Sequence, residues 1–213
     1  MMVPAITLSL ALTNLVVDNL LSWIPTSLVD CSSRCFHNTS CSSFFYNQGD
    51  GTCNLNTVVY SVVSDTLTPS DGVLYYEWKH EDCDDSAGRK FQRASWLCFY
   101  LVKSKKDYNL ASMYCPLLTA NTQSKVDQAH IIASRHDERV WLGGHKIHFM
   151  NWRWMSGETF GNFLAWSDGY PVKDKDCMIA VKSTPQWASD TCSKTRWFIC
   201  EASIPQETSY CNY

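Results

Sequence analysis

The segment CMIAVKSTPQWASDTCSKTRWFICE (residues 177–201) opens on a cysteine, places a second at 192 and a third at 200, and sets Trp187 five residues before the middle one. Ahead of it come Trp141-Leu142-Gly143-Gly144, then Trp152-x-Trp154-x-x-Gly157, Phe163-x-x-Trp166 and Gly169-x-Pro171. Short aromatic runs punctuated by glycine and proline read as strands joined by turns. Upstream of them, 107–115 (DYNLASMYC) and 124–139 (SKVDQAHIIASRHDER) have helical spacing, and Val126, Ala129, Ile132 and Ala133 fall along one face of the second. Helices followed by short strands give an α+β layout.

Working outward, the cysteines set the compartment. Eleven occur in 213 residues, four clustered at 31, 35, 41 and 53 and seven spread over 83, 98, 115, 177, 192, 200 and 211. That density points to an oxidising, extracellular setting and a secreted chain stapled by disulfides. Zinc is a poor alternative, because no C-x2-C pair occurs and most histidines lie away from the cysteines.

The polar stretch 79–93 (KHEDCDDSAGRKFQR) has no apolar run, and it separates the cysteine cluster from the later set. A domain boundary is expected near 79–81. Up to residue 80 there are six acidic and two basic residues, and beyond it fifteen and sixteen, so neither part has the basic field that nucleic acid requires. Residues 1–17 (MMVPAITLSLALTNLVV) are uncharged and fit two descriptions. One is the apolar core of a signal peptide, although the first basic residue is Arg34; the other is a first strand, from the alternation of Ile6, Leu8, Leu10 and Leu12. A membrane span is not expected, since Asn14 and Asp18 interrupt the run too early.

The ordered motifs from Trp141 to Glu201 resemble a C-type lectin-like domain, over roughly 81–201. The resemblance implies the pairs Cys115–Cys200 and Cys177–Cys192, with Cys83–Cys98 fixing the hairpin of the long form. It also places Trp141, Trp152, Trp154, Trp166 and Trp187 at core positions. In the first part, 27–35 (SLVDCSSRC) reads as a helix with two cysteines on one face, 42–48 (SSFFYNQ) as a strand and 53–61 (CNLNTVVYS) as another. With Cys31-x3-Cys35, Cys41 before Phe44-Phe45-Tyr46, and Cys53-Asn54-Leu55, this part resembles the PAN/apple family over 18–80. That likeness implies Cys31–Cys53 and Cys35–Cys41, a helix on a sheet, and binding of proteins or glycans without catalysis. Every cysteine is then used except Cys211, in the tail 202–213, where an interchain bridge to a second copy is favoured over an idle thiol.

In sugar-binding C-type lectins a calcium ion is held by a Glu-Pro-Asn or Gln-Pro-Asp triplet, an acid two residues before the cysteine that stands here as Cys177, and an Asn-Asp after a tryptophan. Here those places hold Tyr170-Pro171-Val172, Lys175 and Ala188-Ser189. A hard cation wants 6 to 8 oxygen ligands, several of them anionic, so the usual calcium site is expected to be absent and no cofactor is assigned. Asp168, Asp174, Asp176 and Asp190 lie nearby, and read as solvated loop carboxylates. Pro171 is retained, and the aromatic before it favours a cis bond. The candidate ligand face is Tyr170, Val172, Lys173, Lys175 and Ser189, which suits an anionic glycan or an extracellular protein.

Other features are less specific. Lys103, Lys105 and Lys106 form either a solvated charged face or a contact for anionic glycans. Asn38-Thr39-Ser40 is an N-glycosylation sequon. No GxSxG, HExxH or phosphate-binding glycine loop is present, and the histidine pairs His130/His136 and His145/His148 lack a third ligand or a nucleophile, so no enzyme is expected. The expectation is a secreted recognition protein of two disulfide-stapled domains. The alternatives are a calcium-independent protein adhesion module and a non-catalytic accessory subunit.

Overall fold

A computed structural model describes residues 6–18, 20, 22–147 and 151–204. The amino-terminal part forms β1 (Ile6–Val16), β2 (Ile24–Pro25), α1 (Leu28–His37), β3 (Ser43–Asn47), β4 (Thr52–Asn56), a 3-10 segment (Ser61–Thr66) and β5 (Thr68–His80). The rest forms β6 (Lys90–Gln92), β7 (Leu97–Lys106), α2 (Tyr108–Tyr114), α3 (Gln123–Arg135), β8 (Val140–Ile147), β9 (Asn151–Trp154), β10 (Cys177–Ala180), β11 (Trp187–Asp190) and β12 (Arg196–Ala202).

The first sheet is antiparallel in the order β1-β5-β3-β4-β2. Its helix α1 begins at Ser27, whose hydroxyl accepts the Asp30 N–H at 3.1 Å and so satisfies an otherwise unpaired end group. Cys31 and Cys35, one turn apart and fully buried, staple α1 down through Cys31–Cys53 and Cys35–Cys41. The alternating residues of 6–12 lie in β1, in register with β5 from Ile6 opposite His80 to Leu12 opposite Tyr75.

The second sheet runs β11-β10-β8-β12-β7-β6, with β9 on β8, and its β8–β12 pair is parallel. The two glycines of the Trp-Leu-Gly-Gly motif have different reasons. A Cβ on Gly143 would stand 2.7 Å from the Leu117 carbonyl oxygen, and one on Gly144 would stand 2.6 Å from the Met178 Sδ. At Gly143 the backbone of β8 passes too close to the 117–118 backbone for a side chain, whereas at Gly144 the space is filled by the Met178 side chain. Cys115–Cys200, Cys177–Cys192 and Cys83–Cys98 tie α2 to β12, brace the loops beside β10, and pin the chain before β6 to β7.

One difference from the sequence expectation concerns 53–61. Only Thr52–Asn56 is strand; Val58, Val59 and Tyr60 leave it and are buried. The cause is the second domain: the Gln128 side chain of α3 accepts the Val59 N–H at 2.7 Å and donates to its carbonyl at 3.0 Å, replacing the ladder partners. A single apolar core then runs from Phe45, Tyr75 and Val63 across this seam to Val126, Ala129 and Ile132. The rim is polar. Arg93 donates to the carbonyls of Cys35 and Phe36 at 3.0 Å, its guanidinium lying 4.7 Å from the Trp78 ring centre, and Gln92 bridges the Thr57 and Ser124 carbonyls. Asp65 reaches Lys103 at 2.6 Å and stands 3.8 Å from His136, whose burial, with Lys103 close by, holds its imidazole below the ordinary value.

Candidate functional site

Between β9 and β10 the chain makes a long excursion, anchored on β11. The Trp187 backbone N–H donates to the Ala165 carbonyl at 2.6 Å and its backbone carbonyl accepts from the Ser167 N–H at 2.8 Å, which fixes the root of the excursion to a buried strand. Five aromatic rings pack there: Trp154 and Trp187 are buried, while Trp152, Trp166 and Phe160 are half-buried against them, with Trp152 and Trp166 at 4.8 Å. Trp141 is fully buried on the other side of the sheet beneath Tyr108. All five tryptophans of the motifs thus contribute to packing, three of them completely.

From this root the loop turns at Gly169, with φ +77°, passes a cis bond between Tyr170 and Pro171, and returns through Asp174, with φ +63°, to Cys177. Tyr170 is half-buried against the Trp141 cluster, so its ring supports the loop from beneath. Val172 and Lys173 are exposed and Lys175 is half-buried. Among the described residues no ion pair holds Lys173 or Lys175, whereas Lys146 holds Asp176 at 3.2 Å. Tyr170, Val172, Lys173 and Lys175 thus lie on one loop, with Tyr170 packed toward the core and Val172 and Lys173 exposed.

Ser189 is not part of the exposed loop face, which corrects the sequence assignment. It is 2% exposed, and its hydroxyl accepts the Val172 N–H at 2.8 Å. It acts as a strut that fixes the loop backbone, because β11 runs beneath the loop with every residue buried. Asp190 is likewise no solvated loop carboxylate. It is 1% exposed and accepts from the Thr191 N–H at 2.8 Å, from Lys194 at 3.1 Å and from the Arg196 guanidinium. Burial alone would raise its carboxyl, but these donors hold it below the ordinary carboxylate range. Arg196 in turn lies 5.4 Å from the Trp141 ring centre, so the pair is sandwiched between loop and core.

The basic cluster before α2 is also committed. Lys103 pairs with Asp65, Lys105 with Glu138 at 2.6 Å, and the Lys106 ammonium stands 5.9 Å from the Tyr114 ring centre. Asn38 is exposed at the end of α1. His148 and Cys211 lie outside the described residues.

Residues 13–80 match the PAN domain family and residues 105–202 match the lectin C-type domain family. The chain is a PAN domain followed by a C-type lectin domain. A relative, lectin BRA-3 of Megabalanus rosa, is 25% identical over 133 residues, which cover 58% of this chain and 82% of that protein. Among solved structures, human lithostathine is 22% identical, with a TM-score of 0.47, over 55% of this chain and 89% of that one. The mouse scavenger receptor C-type lectin carbohydrate-recognition domain is 22% identical, with a TM-score of 0.42, over 51% and 92%. Neither the PAN nor the C-type lectin family is catalytic, and disulfide-rich lectin domains of this kind are typical of extracellular proteins. No described helix is long and apolar enough to cross a membrane.

The excursion 155–176 lies within the residues that match the lectin C-type domain family. What sequence reasoning missed in that domain is the buried pair Asp190 and Arg196. Its only signal in the sequence is a carboxylate and a guanidinium six residues apart on either side of Cys192, a pattern that solvated loops share.

Proposed function

We propose that this chain is a secreted lectin whose C-type lectin domain holds anionic glycans on the 170–176 loop face without calcium. The observation that carries the proposal is the pair Lys173 and Lys175, which have no ion-pair partner among the described residues. Lys175 stands where the sugar-binding pattern puts an acid. The other calcium positions supply no replacement, since Ala188 has no ligand atom, the Ser189 hydroxyl is engaged by Val172, and the neighbouring Asp190 is consumed by Arg196 and Lys194. The residues at those positions therefore do not fit a calcium ion: an ammonium in place of a carboxylate ligand repels a divalent cation and attracts a sulfate or carboxylate. Val172 and the edge of Tyr170 add apolar contact beside the two cations. Secretion through an oxidising lumen fits the five disulfides and the exposed sequon at Asn38.

A glycan array that includes sulfated and sialylated structures, probed with and without a chelator, tests this. Binding to anionic glycans should survive the chelator. It should fall roughly tenfold or more when Lys173→Glu and Lys175→Glu are combined, because each charge-assisted hydrogen bond contributes about 1.5 to 3 kcal/mol. Loss of binding on chelation, or glycan binding indifferent to both substitutions, would overturn it. An array with no glycan bound at all would move the loop face to a protein ligand.

A further inference from the structure

We infer that Asn38 carries an N-linked glycan whose first sugars lie on the exposed ring of Phe36, covering one end of the seam between the two domains. Asn38-Thr39-Ser40 is the only Asn-x-Ser/Thr sequence in the chain. It follows α1, and the Cys35–Cys41 disulfide closes a short turn around it in which residues 36–40 are all exposed. The inference rests on the part of the proposed function that sends the chain through an oxidising lumen, and not on the ligand loop.

Within that turn the polar atoms of Asn38 are divided between the fold and the solvent. Its backbone N–H donates to the Arg34 carbonyl at 3.1 Å, and its carbonyl accepts from the Cys41 N–H at 2.8 Å and from Arg93 at 3.3 Å. Its side-chain oxygen accepts the Ser40 N–H at 3.0 Å. The side-chain nitrogen Nδ2 has no hydrogen-bond partner among the described residues. A sugar on Nδ2 therefore breaks no hydrogen bond of the fold, and it grows from a side chain whose direction is already set. The transfer is a substitution at C1 of an oligosaccharide carried on a lipid pyrophosphate. The Nδ2–C1 bond forms, the bond from C1 to the pyrophosphate oxygen breaks and its electron pair leaves with the lipid pyrophosphate, and the proton displaced from Nδ2 passes to a base.

Phe36 supplies the surface. It is 58% exposed, while Trp78, 6.1 Å away between ring centres, is 5% exposed. The Arg93 guanidinium stands 6.0 Å from the Phe36 ring centre and donates to the Phe36 carbonyl at 3.0 Å as well as to that of Asn38. One rigid fork thus fixes the two residues relative to each other, two Cα steps or at most about 7.6 Å apart, a distance that the first sugars span. A pyranose presents C–H groups on one face, and laying that face on the ring takes apolar surface of both out of water. The covalent tether makes the contact intramolecular, so a small area is enough to hold it. Because Phe36, Trp78 and Arg93 form the rim of the seam, the same contact shields the hydrogen bonds by which Arg93 closes it.

The test compares the full chain, secreted from a host that performs N-glycosylation, with Ser40→Ala, which destroys the sequon and keeps every hydrogen bond of Asn38. Mass spectrometry should find a glycan on Asn38 of the wild type and none on Ser40→Ala. The folding equilibrium constant of the glycosylated chain should be roughly fivefold larger, a thermal midpoint about 2 to 4 °C higher. In a Phe36→Ala background the glycosylated and unglycosylated chains should have the same midpoint. In the wild type itself, proton resonances of the first N-acetylglucosamine should move upfield through the ring current of Phe36. A wild type without a glycan on Asn38 overturns the inference. So does a stabilisation that persists in Phe36→Ala, which would assign it to the unfolded chain, or a first sugar whose resonances are unshifted. None of these measurements uses the glycan array, and neither Phe36 nor Ser40 belongs to the loop face, so the two readings fail separately.

Discussion

Asp190 shows how one side chain can hold a binding loop in place. With its carboxylate buried and shared among the Thr191 N–H, Lys194 and Arg196, it neutralises the guanidinium that packs on Trp141, while its neighbour Ser189 holds Val172. Removing one partner of a buried pair leaves the other charge uncompensated, so Asp190→Asn should destabilise the protein by about 3 kcal/mol, measured by urea unfolding with disulfides intact. The pH dependence follows from the direction of its shift. A carboxyl held below its ordinary value of about 3.9 contributes stability that is complete above that value and is lost as pH falls through the folded one. The wild type should therefore lose stability more steeply than Asp190→Asn below about pH 4; parallel curves would show that the carboxylate is not the group being titrated. At this scale the sequence was least legible. That Lys173 and Lys175 lie on a loop could be read, because charge and a neighbouring proline mark turns. That Ser189 lies off the loop face and that Asp190 is buried instead of solvated could not be read, because burial of a short polar pair depends on which strand passes beneath the loop.

At the scale of elements, α3 is the clearest case of pattern and context diverging. Its apolar face, Val126, Ala129, Ile132 and Ala133, was visible as helical periodicity, and all four are buried. The helix begins one residue before the stretch read from sequence and ends four residues earlier, at Arg135, before the turn of His136 and Asp137. Periodicity cannot reveal that Gln128, fully buried on the same helix, supplies the missing ladder to Val59 from the other domain. That bond is also why the run 53–61 does not continue as strand past Asn56, since local β-propensity loses to a partner about seventy positions away in sequence. Gln128→Ala would leave a buried backbone N–H and C=O unpaired, at about 1 to 3 kcal/mol each. The expected loss is roughly 2 to 6 kcal/mol, with amide exchange at Val59 accelerated more than at β10 or β12. A loss below about 1 kcal/mol would mean that water replaces the side chain. The Trp-Leu-Gly-Gly and C-x3-C motifs were legible for the opposite reason: each encodes a contact made at its own position, a close backbone approach in one case and a stapled helix face in the other.

For the whole molecule, the seam decides how the two domains behave. The apolar cluster that contains Phe45 and Tyr75 from the PAN sheet also contains Val126, Ile132, Trp154 and Ile199 from the C-type lectin domain, with no break at the polar stretch that marks the domain change in sequence. Gln92, Arg93, Gln128 and Lys103 then close the rim with hydrogen bonds and an ion pair to PAN residues. Each fully buried apolar side chain contributes about 1.5 to 3 kcal/mol relative to exposure, so separating the domains across Val58, Val59 and Val63 alone would cost several kcal/mol. Such a cost is comparable to the total stability of an average domain, and the two should unfold together. Heating the intact chain should give one transition, coincident by far-ultraviolet dichroism and tryptophan fluorescence, with calorimetric and van't Hoff enthalpies equal. The slowest amides of β3 and β5 should exchange with the same free energy as those of β8 and β12. Arg93→Ala, which strips three carbonyl contacts and the stack on Trp78 from the rim, should lower that single midpoint by about 4 to 8 °C without splitting it, at 2 to 4 °C per kcal/mol for a chain of this size. Two resolved transitions, or PAN amides that open independently of the lectin strands, would show a seam too weak to fix the orientation of the ligand loop relative to the PAN domain.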